Sequence, residues 1–432
     1  MNAVAWAGLW AFSAPAAAAP KAEVHGDIKT FFVSTLPYDN ELFSELGINA
    51  TDPTAQSSVD GRIKLTAKTD AVRTVFHHAV TAQTGQTIAA TGQSGMGVQA
   101  PQLIDLGWQG FEESANPQAM SLVGRTDRLS IAADAGPTTI TIGRQPVTLG
   151  HGMAFTPMDL VNPFFPTTVD QEYKPGLDAA TVDAFFGTST QLSVIAAYTD
   201  PDPVTEADDW TVEGAVYAVY GQHTFGRHDV GLLLGKIRGD DAIGATIATY
   251  AGPVGIHADA TYTNPSESSA EDPFVRAVLG AVWSATTELI VSAEVYHQSL
   301  GSTEPDGYLE RLASDRHASG ELWLAGTGYA STTVSYQATP LVAASASVIG
   351  NLTDGSALIA PNVAVSISDE VQLVCGGFAG LGERPADREL VDLFDPATGA
   401  LLTGGALSEA LGVQSEFGLY PSSLFLQMKA YF

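Results

Sequence analysis

One cysteine, Cys375, stands in a chain of 432 residues, so no internal disulfide can form. Basic residues are scarce. Against 48 Asp and Glu there are 19 Lys and Arg, and the formal net charge of −29 repels phosphate backbones and argues against nucleic acid as a partner. No stretch reaches the ~18 apolar residues of a membrane-spanning helix, although mean hydropathy is slightly positive and only 16% of residues are charged. Enzyme motifs are missing as well: no P-loop, no H-E-x-x-H and no paired-cysteine zinc pattern occurs. His77 and His78 are adjacent, and in a strand they point to opposite faces and cannot share an ion. Gly92-Gln93-Ser94-Gly95-Met96-Gly97 fails as a nucleophile elbow because Met96 stands where the last glycine belongs.

What is present is alternation. In 254–263, Val254, Ile256, Ala258, Ala260 and Tyr262 oppose Gly255, His257, Asp259, Thr261 and Thr263. In 288–298, Leu289, Val291, Ala293 and Val295 oppose Glu288, Ser292, Glu294 and Gln298; in 61–68, Ile63, Leu65 and Ala67 oppose Arg62, Lys64, Thr66 and Lys68. Successive strand side chains face opposite sides, so each run has one apolar and one polar face. A transmembrane barrel gives mild hydropathy without any spanning helix, because only alternate residues meet lipid. Strands over 138–149 and 229–239 are less clear, since Arg144 and Lys236 have no obvious face without a bulge.

The chain ends on such a strand. Leu424, Leu426, Met428, Ala430 and Phe432 are apolar at every second position, and the last residue is aromatic. This terminal pattern resembles the assembly signal of bacterial outer-membrane β-barrels, of the porin-like class. The resemblance implies an outer-membrane location, contact with lipid and lipopolysaccharide, and handling by the barrel-assembly machinery. At the other end, an apolar run over 3–12 with Trp6 and Trp10 precedes Ser13-Ala14-Pro15-Ala16-Ala17-Ala18-Ala19-Pro20, which reads as a signal peptide over 1–21 without the usual preceding Lys or Arg. The barrel then occupies 22–432.

Turn residues divide the chain. Short turns fall near Thr69-Asp70, Gly136-Pro137, Thr188-Ser189, Gly226-Arg227-His228, Gly252-Pro253, Ala285-Thr286, Thr339-Pro340 and Asp369-Glu370. Longer connections fall at 36–58, 84–119, 151–176, 200–210, 265–272, 300–319 and 381–414, with two short ones at Asp240-Asp241 and Asp354-Gly355. The fold expected is therefore all-β: an antiparallel transmembrane barrel of about 18 strands, with short periplasmic turns and long extracellular loops. At roughly 16–18 strands a barrel encloses an aqueous channel.

Loop 151–176 is too apolar to float in water. Met153, Phe155, Met158, Asp159, Asn162, Phe164 and Phe165 mark it as a constriction loop folded into the lumen, as the third outer loop often is in porins; packing on the outer rim is the alternative. Gly143-Arg144-Gln145, Asp159-Leu160-Val161-Asn162-Pro163 and Lys174-Pro175-Gly176-Leu177-Asp178 are loosely similar to alginate-export-like barrels. Lumen-facing basic candidates are Arg62, Lys64, Lys68, Arg73, Arg128 and Arg276, and acidic ones are Asp183, Asp259, Glu288 and Glu294. Opposed walls of this kind would set up a transverse field, unless the charges simply pair. Asp200, Asp202, Asp208 and Asp209 are weak Ca²⁺ candidates in an acidic outer loop, without EF-hand spacing; no other cofactor is expected. The expected function is non-enzymatic: passive diffusion of small hydrophilic solutes or ions through an outer-membrane porin, favouring cations. A closed barrel with a structural or adhesive role, and an outer-membrane hydrolase, are the alternatives.

Overall fold

The final strand, Ser422–Tyr431, shows how alternation becomes a wall. Leu424, Leu426, Met428 and Phe432 are exposed, while Ser423, Phe425, Gln427 and Lys429 are buried. The apolar set faces outward and the other set faces the interior of the barrel. The same division holds around the sheet: Ile28 and Phe32, Ile63 and Leu65, Ile140 and Ile142, and Leu232 and Leu234 point out, while Asp27, Asp60, Arg62, Asp259 and Glu294 point in.

The computed structural model describes residues 21–45, 52–85, 104, 106–112, 120–161, 173–199, 214–266, 269, 271–318 and 320–432. Its strands are β1 (Lys21–Leu36), β2 (Thr54–Lys68), β3 (Val72–Gly85), β4 (Trp108–Glu112), β5 (Met120–Ala135), β6 (Thr138–Gln145), β7 (Leu177–Phe186), β8 (Thr190–Tyr198), β9 (Ala215–Phe225) and β10 (His228–Ile237). They continue as β11 (Asp240–Ala251), β12 (Val254–Asn264), β13 (Phe274–Ser284), β14 (Leu289–Gln298), β15 (Gly328–Thr339), β16 (Val342–Asn351), β17 (Ala357–Ser366), β18 (Val371–Leu381) and β19 (Ser422–Tyr431). Each wall strand pairs antiparallel with its neighbours, and β1 closes the ring against β19 with Asp27 opposite Tyr431. The closed wall has 18 strands; β4 is an addition. It pairs with the upper part of β5, Trp108 opposite Gly124, on the side where β6 has already ended.

Every turn residue expected at the periplasmic side lies at one end of this barrel, together with both ends of the described chain. The long connections lie at the other, the loop end. Several boundaries move. The connection expected to begin at 151 begins at 146 because β6 stops at Gln145, and the connections expected to end at 319 and 414 run to 327 and 421. The tight turn expected at Asp240-Asp241 is at Arg238-Gly239, whose φ angles of 52° and 85° are both left-handed, as a two-residue hairpin turn of the primed type requires. Among the described residues four short α-helices lie in the loops: α1 (Glu41–Glu45), α2 (Tyr308–Leu312), α3 (Asp315–Ala318) and α4 (Gly404–Ala410).

The outward face suits a bilayer. Phe186, Phe225, Trp283 and Tyr336 are exposed where their strands reach the turn end, the position of an interfacial aromatic girdle. Cys375 lies on this outer face, opposite Leu426, as an apolar lipid-facing residue would. Lys236 is also exposed, pairing with Asp241 at 3.2 Å near the loop end. Arg144 is buried although its neighbour two positions back, Ile142, is exposed. Its guanidinium holds Asp178 at 2.9 Å and donates to the carbonyls of Thr126 and Ile104, so the segment before β4 covers an ion pair that lipid would otherwise meet.

Candidate functional site

After Gln145 the chain turns into the lumen because its side chains have apolar partners there. Val147, Leu149, Met158, Leu160 and Val161 form one buried cluster with inward residues of β7 to β11, including Leu177, Ile195, Val216 and Leu233. The Met158 sulfur packs over Gly244, where a Cβ would lie 2.4 Å from it.

Between these apolar anchors, residues 151–155 cross to the far wall. The N–H groups of His151 and Gly152 each donate to Oδ2 of Asp259 at 2.8 Å. Met153 donates to Oε1 of Glu294 at 2.7 Å, and Ala154 and Phe155 donate to its Oε2 at 2.8 and 3.0 Å. β14 lies eight strands on from β6 in an 18-strand wall, close to diametrically opposite. Successive backbone N–H groups form a cradle for an anion, and bonds to an ionised acceptor are among the strongest available. The carboxylates are themselves held: Thr246 donates to Oδ1 of Asp259 at 2.5 Å, and His257 Nε2 lies 2.7 Å from Glu294 Oε1. The ring of Phe155 stacks on Tyr296 with centroids 4.9 Å apart. Met153 stays 54% exposed between these captured neighbours.

The returning limb is pinned to the opposite wall. Lys174 Nζ donates to Asp159 Oδ2 at 2.5 Å and to the carbonyl of Val147 at 2.7 Å, closing the loop on itself. Gly176 N–H donates to the carbonyl of Asp127 at 2.9 Å. Tyr173 lies against the inner face of β2, β3 and β5: Arg62 and Arg128 are 4.0 and 4.5 Å from its ring centroid, and its hydroxyl is 2.8 Å from His77 Nδ1.

No family model matches the chain, and no curated protein does. Solved structures do. Acinetobacter baumannii OccAB3 superimposes with a TM-score of 0.54 at 9% identity, covering 95% of this chain and 99% of that one. A BenF-like porin from Pseudomonas fluorescens Pf-5 gives 0.55 at 9% identity, with 95% and 98% covered. Pseudomonas aeruginosa OccK9 (OpdG) gives 0.55 at 10% identity, with the same coverage. The chain has the fold of an outer-membrane porin. A closed barrel with an apolar outer belt belongs in an outer membrane, and its 18 wall strands match the number expected from the turns.

Within this porin fold, the basic candidates of β2, β3 and β5 share one face of the sheet, and two of them, Arg62 and Lys64, are met by carboxylates. Arg62 reaches Asp127 at 3.0 Å, Asp60 at 3.5 Å and Asp27 at 3.7 Å, and Lys64 reaches Asp27 at 2.5 Å. Asp127 joins the group through a bulge: His77 pairs with Arg128 and His78 with Thr126, so Asp127 is the extra residue. Arg125 binds it at 2.8 Å. Lys68 and Arg73 are cross-strand partners, exposed at the turn end. As expected, His77 and His78 part company, His77 to Tyr173 inside and His78 to Thr126 Oγ1 on the other face at 3.0 Å.

Arg276 stands apart from these, on β13. It pairs with Glu321 at 3.1 Å and lines a small pocket with Phe155, Pro157, Tyr296 and Trp323. Glu321 also binds Arg316 at 2.7 Å, and Arg316 ties Asp240 at 2.9 Å and Glu271 at 2.5 Å, joining three connections at the loop end. Burial pushes the Glu321 carboxyl up, but Arg276, Arg316 and Arg238 outweigh it and leave it below its ordinary value. Of the acidic candidates, Asp259 and Glu294 are the loop anchors, and Asp183 accepts from Ser193 Oγ at 2.5 Å. Glu288 is displaced from the expected wall: β14 starts at Leu289, so it sits exposed in the preceding turn, capped by Thr286 and Thr287.

Asn162, Phe164, Phe165, Asp200, Asp202, Asp208 and Asp209 lie outside the described residues, as do residues 1–20. Among the described residues no cluster of three or more His, Cys, Asp or Glu is arranged for a metal. Sequence reasoning missed Tyr173, Asp27, Asp60 and Asp127. Tyr173 follows a stretch without regular pattern, and Asp127 has the wrong parity until the bulge is known.

Proposed function

We propose that the protein is a passive channel of the outer membrane for small hydrophilic solutes, narrowed by residues 151–155 and favouring cations. The observation that carries this reading is the capture of residues 151–155 by Asp259 and Glu294 on the wall opposite β6. A backbone held at that many points narrows the lumen without needing to move. The cation preference rests on charge. The described ion pairs largely neutralise the inward charges against one another, so the formal net charge of −29 dominates the field at the mouth. In this reading the loop end faces outward, Phe432 and its strand are read by the assembly machinery, and the acidic outer loops approach lipopolysaccharide through divalent cations.

Liposome swelling with sugars of increasing size tests it. Swelling that falls off with solute size supports a channel with a fixed constriction. Pseudomonas aeruginosa OpdK, at a TM-score of 0.52, was solved with vanillate, which makes that compound a reasonable further probe. A closed barrel is the second reading. It is favoured by an inward apolar cluster near the loop end, where Phe31, Tyr296, Ile349, Val374, Phe378 and Phe425 pack with Phe155. Equal absence of swelling with every sugar, from correctly folded protein, selects this second reading.

A further inference from the structure

We propose that Tyr173 is a selectivity-determining residue of this channel: its ring screens the guanidiniums of Arg62 and Arg128 from solutes in the lumen. The inference rests on the channel reading above and adds to it the group that sets ionic preference on the basic side.

Among the described residues the charges around the ring do not balance. Four cations, Arg62, Lys64, Arg125 and Arg128, share three carboxylates, Asp27, Asp60 and Asp127. Among the described residues Arg128 forms no ion pair with a carboxylate. It donates from Nη2 to the Lys174 carbonyl at 3.0 Å, and it lies against the ring at 4.5 Å. The surplus cation therefore meets a neutral partner, the negative face of an aromatic ring. Lys64 Nζ lies 5.6 Å from the same ring.

The ring is well placed to act as a cover. Its hydroxyl is fixed at His77. Its backbone precedes Lys174, whose ammonium is tied to Asp159 and Val147, and Gly176, whose N–H is tied to the wall at Asp127. A Cβ at 176 would lie 2.7 Å from the Asp127 carbonyl, so the limb approaches as closely as backbone allows. Burial raises the phenol well above its ordinary pKa, against the pull of Arg128, so the cover stays neutral. A neutral ring over the face of a guanidinium denies an anion approach to that face, while a passing cation loses nothing.

The test uses the full barrel in planar bilayers under a KCl gradient, with Tyr173→Phe and Tyr173→Ala beside the unaltered protein. Tyr173→Phe keeps the ring and retains the cation preference. Tyr173→Ala lowers the K⁺/Cl⁻ permeability ratio by on the order of three- to ten-fold, the effect of one uncovered unit charge at a narrow point, and adding Arg128→Gln restores it. An unchanged ratio in Tyr173→Ala, or an equal shift in Tyr173→Phe, overturns the proposal. Labelling by phenylglyoxal, mapped on peptides, reads the cover without conduction. The screen predicts faster modification of Arg62 and Arg128 in Tyr173→Ala than in Tyr173→Phe; equal rates overturn it even if no variant conducts, whereas faster labelling in a silent barrel upholds the screen and removes the channel reading alone.

Discussion

The N–H of Phe155 donates to Oε2 of Glu294 at 3.0 Å, and Ala154 donates to the same oxygen at 2.8 Å. One carboxylate thus holds the tip of a loop whose root is on the opposite wall. Glu294→Ala leaves the N–H groups of Met153, Ala154 and Phe155 without their acceptor. Each bond to a charged group contributes about 1.5–3 kcal/mol, so the tip is expected to detach while the barrel persists. Larger, noisier unitary conductance than in the unaltered protein checks this. A quiet, unchanged conductance contradicts it.

Met153 is the exposed side chain between captured neighbours. It should therefore set the bore at that level. Met153→Trp is expected to lower unitary conductance and Met153→Ala to raise it, each by up to roughly two-fold for a single side chain at a constriction. Conductance that does not follow side-chain size would place the narrowest point elsewhere.

Glu416 gives a pH dependence. It lies in the connection 382–421 and accepts from Ala325 N–H at 2.8 Å, Asn351 Nδ2 at 2.7 Å and the Tyr329 hydroxyl, with Tyr308 and Asp354 nearby. Among the described residues no cation pairs with it. Burial pushes its carboxyl from 4.5 up to about 7, despite the three hydrogen bonds. The docked state thus binds the proton more tightly than the undocked one. Its contribution is fully present below pH 4.5, declines as pH rises and is lost through about 7. The loss is on the order of 3 kcal/mol. Hydrogen exchange at residues 414–420, corrected for intrinsic rates, should show protection falling over this window in the unaltered protein but not in Glu416→Gln.

The seam makes a stability prediction. Gly26 and Phe432 exchange both backbone hydrogen bonds, at 2.8 and 3.0 Å, and the Phe432 ring rests on the bare Cα of Gly26. A Cβ at 26 would lie 2.3 Å from that ring. Gly26→Val is expected to cost about 1–3 kcal/mol by overpacking. It should lower the temperature at which the barrel loses its compact form in detergent gels, and Phe432→Ala in the same chain should recover part of the loss. No recovery would separate the ring from the seam.

The wall was legible in the sequence because its period is local: Leu424, Leu426 and Met428 reveal their face within one strand. Turn placement was legible for the same reason, since Gly136-Pro137 and Gly252-Pro253 act through their own backbone preferences. The site was legible only in part. Asp259 and Glu294 announced themselves as mid-strand carboxylates, and Met153 to Asp159 as an apolar loop. Nothing local said that the carboxylates would hold that loop, because the partners are more than a hundred positions apart. Arg144 was unassignable because its face depends on a covering segment that comes earlier in the chain.

Single-channel recording of the unaltered protein in planar bilayers, under a KCl gradient, reads conduction through the lumen itself. Discrete, ohmic steps and a reversal potential on the cation side are expected. Protein that shows the compact, heat-modifiable form of a folded barrel yet gives no steps would contradict the channel reading.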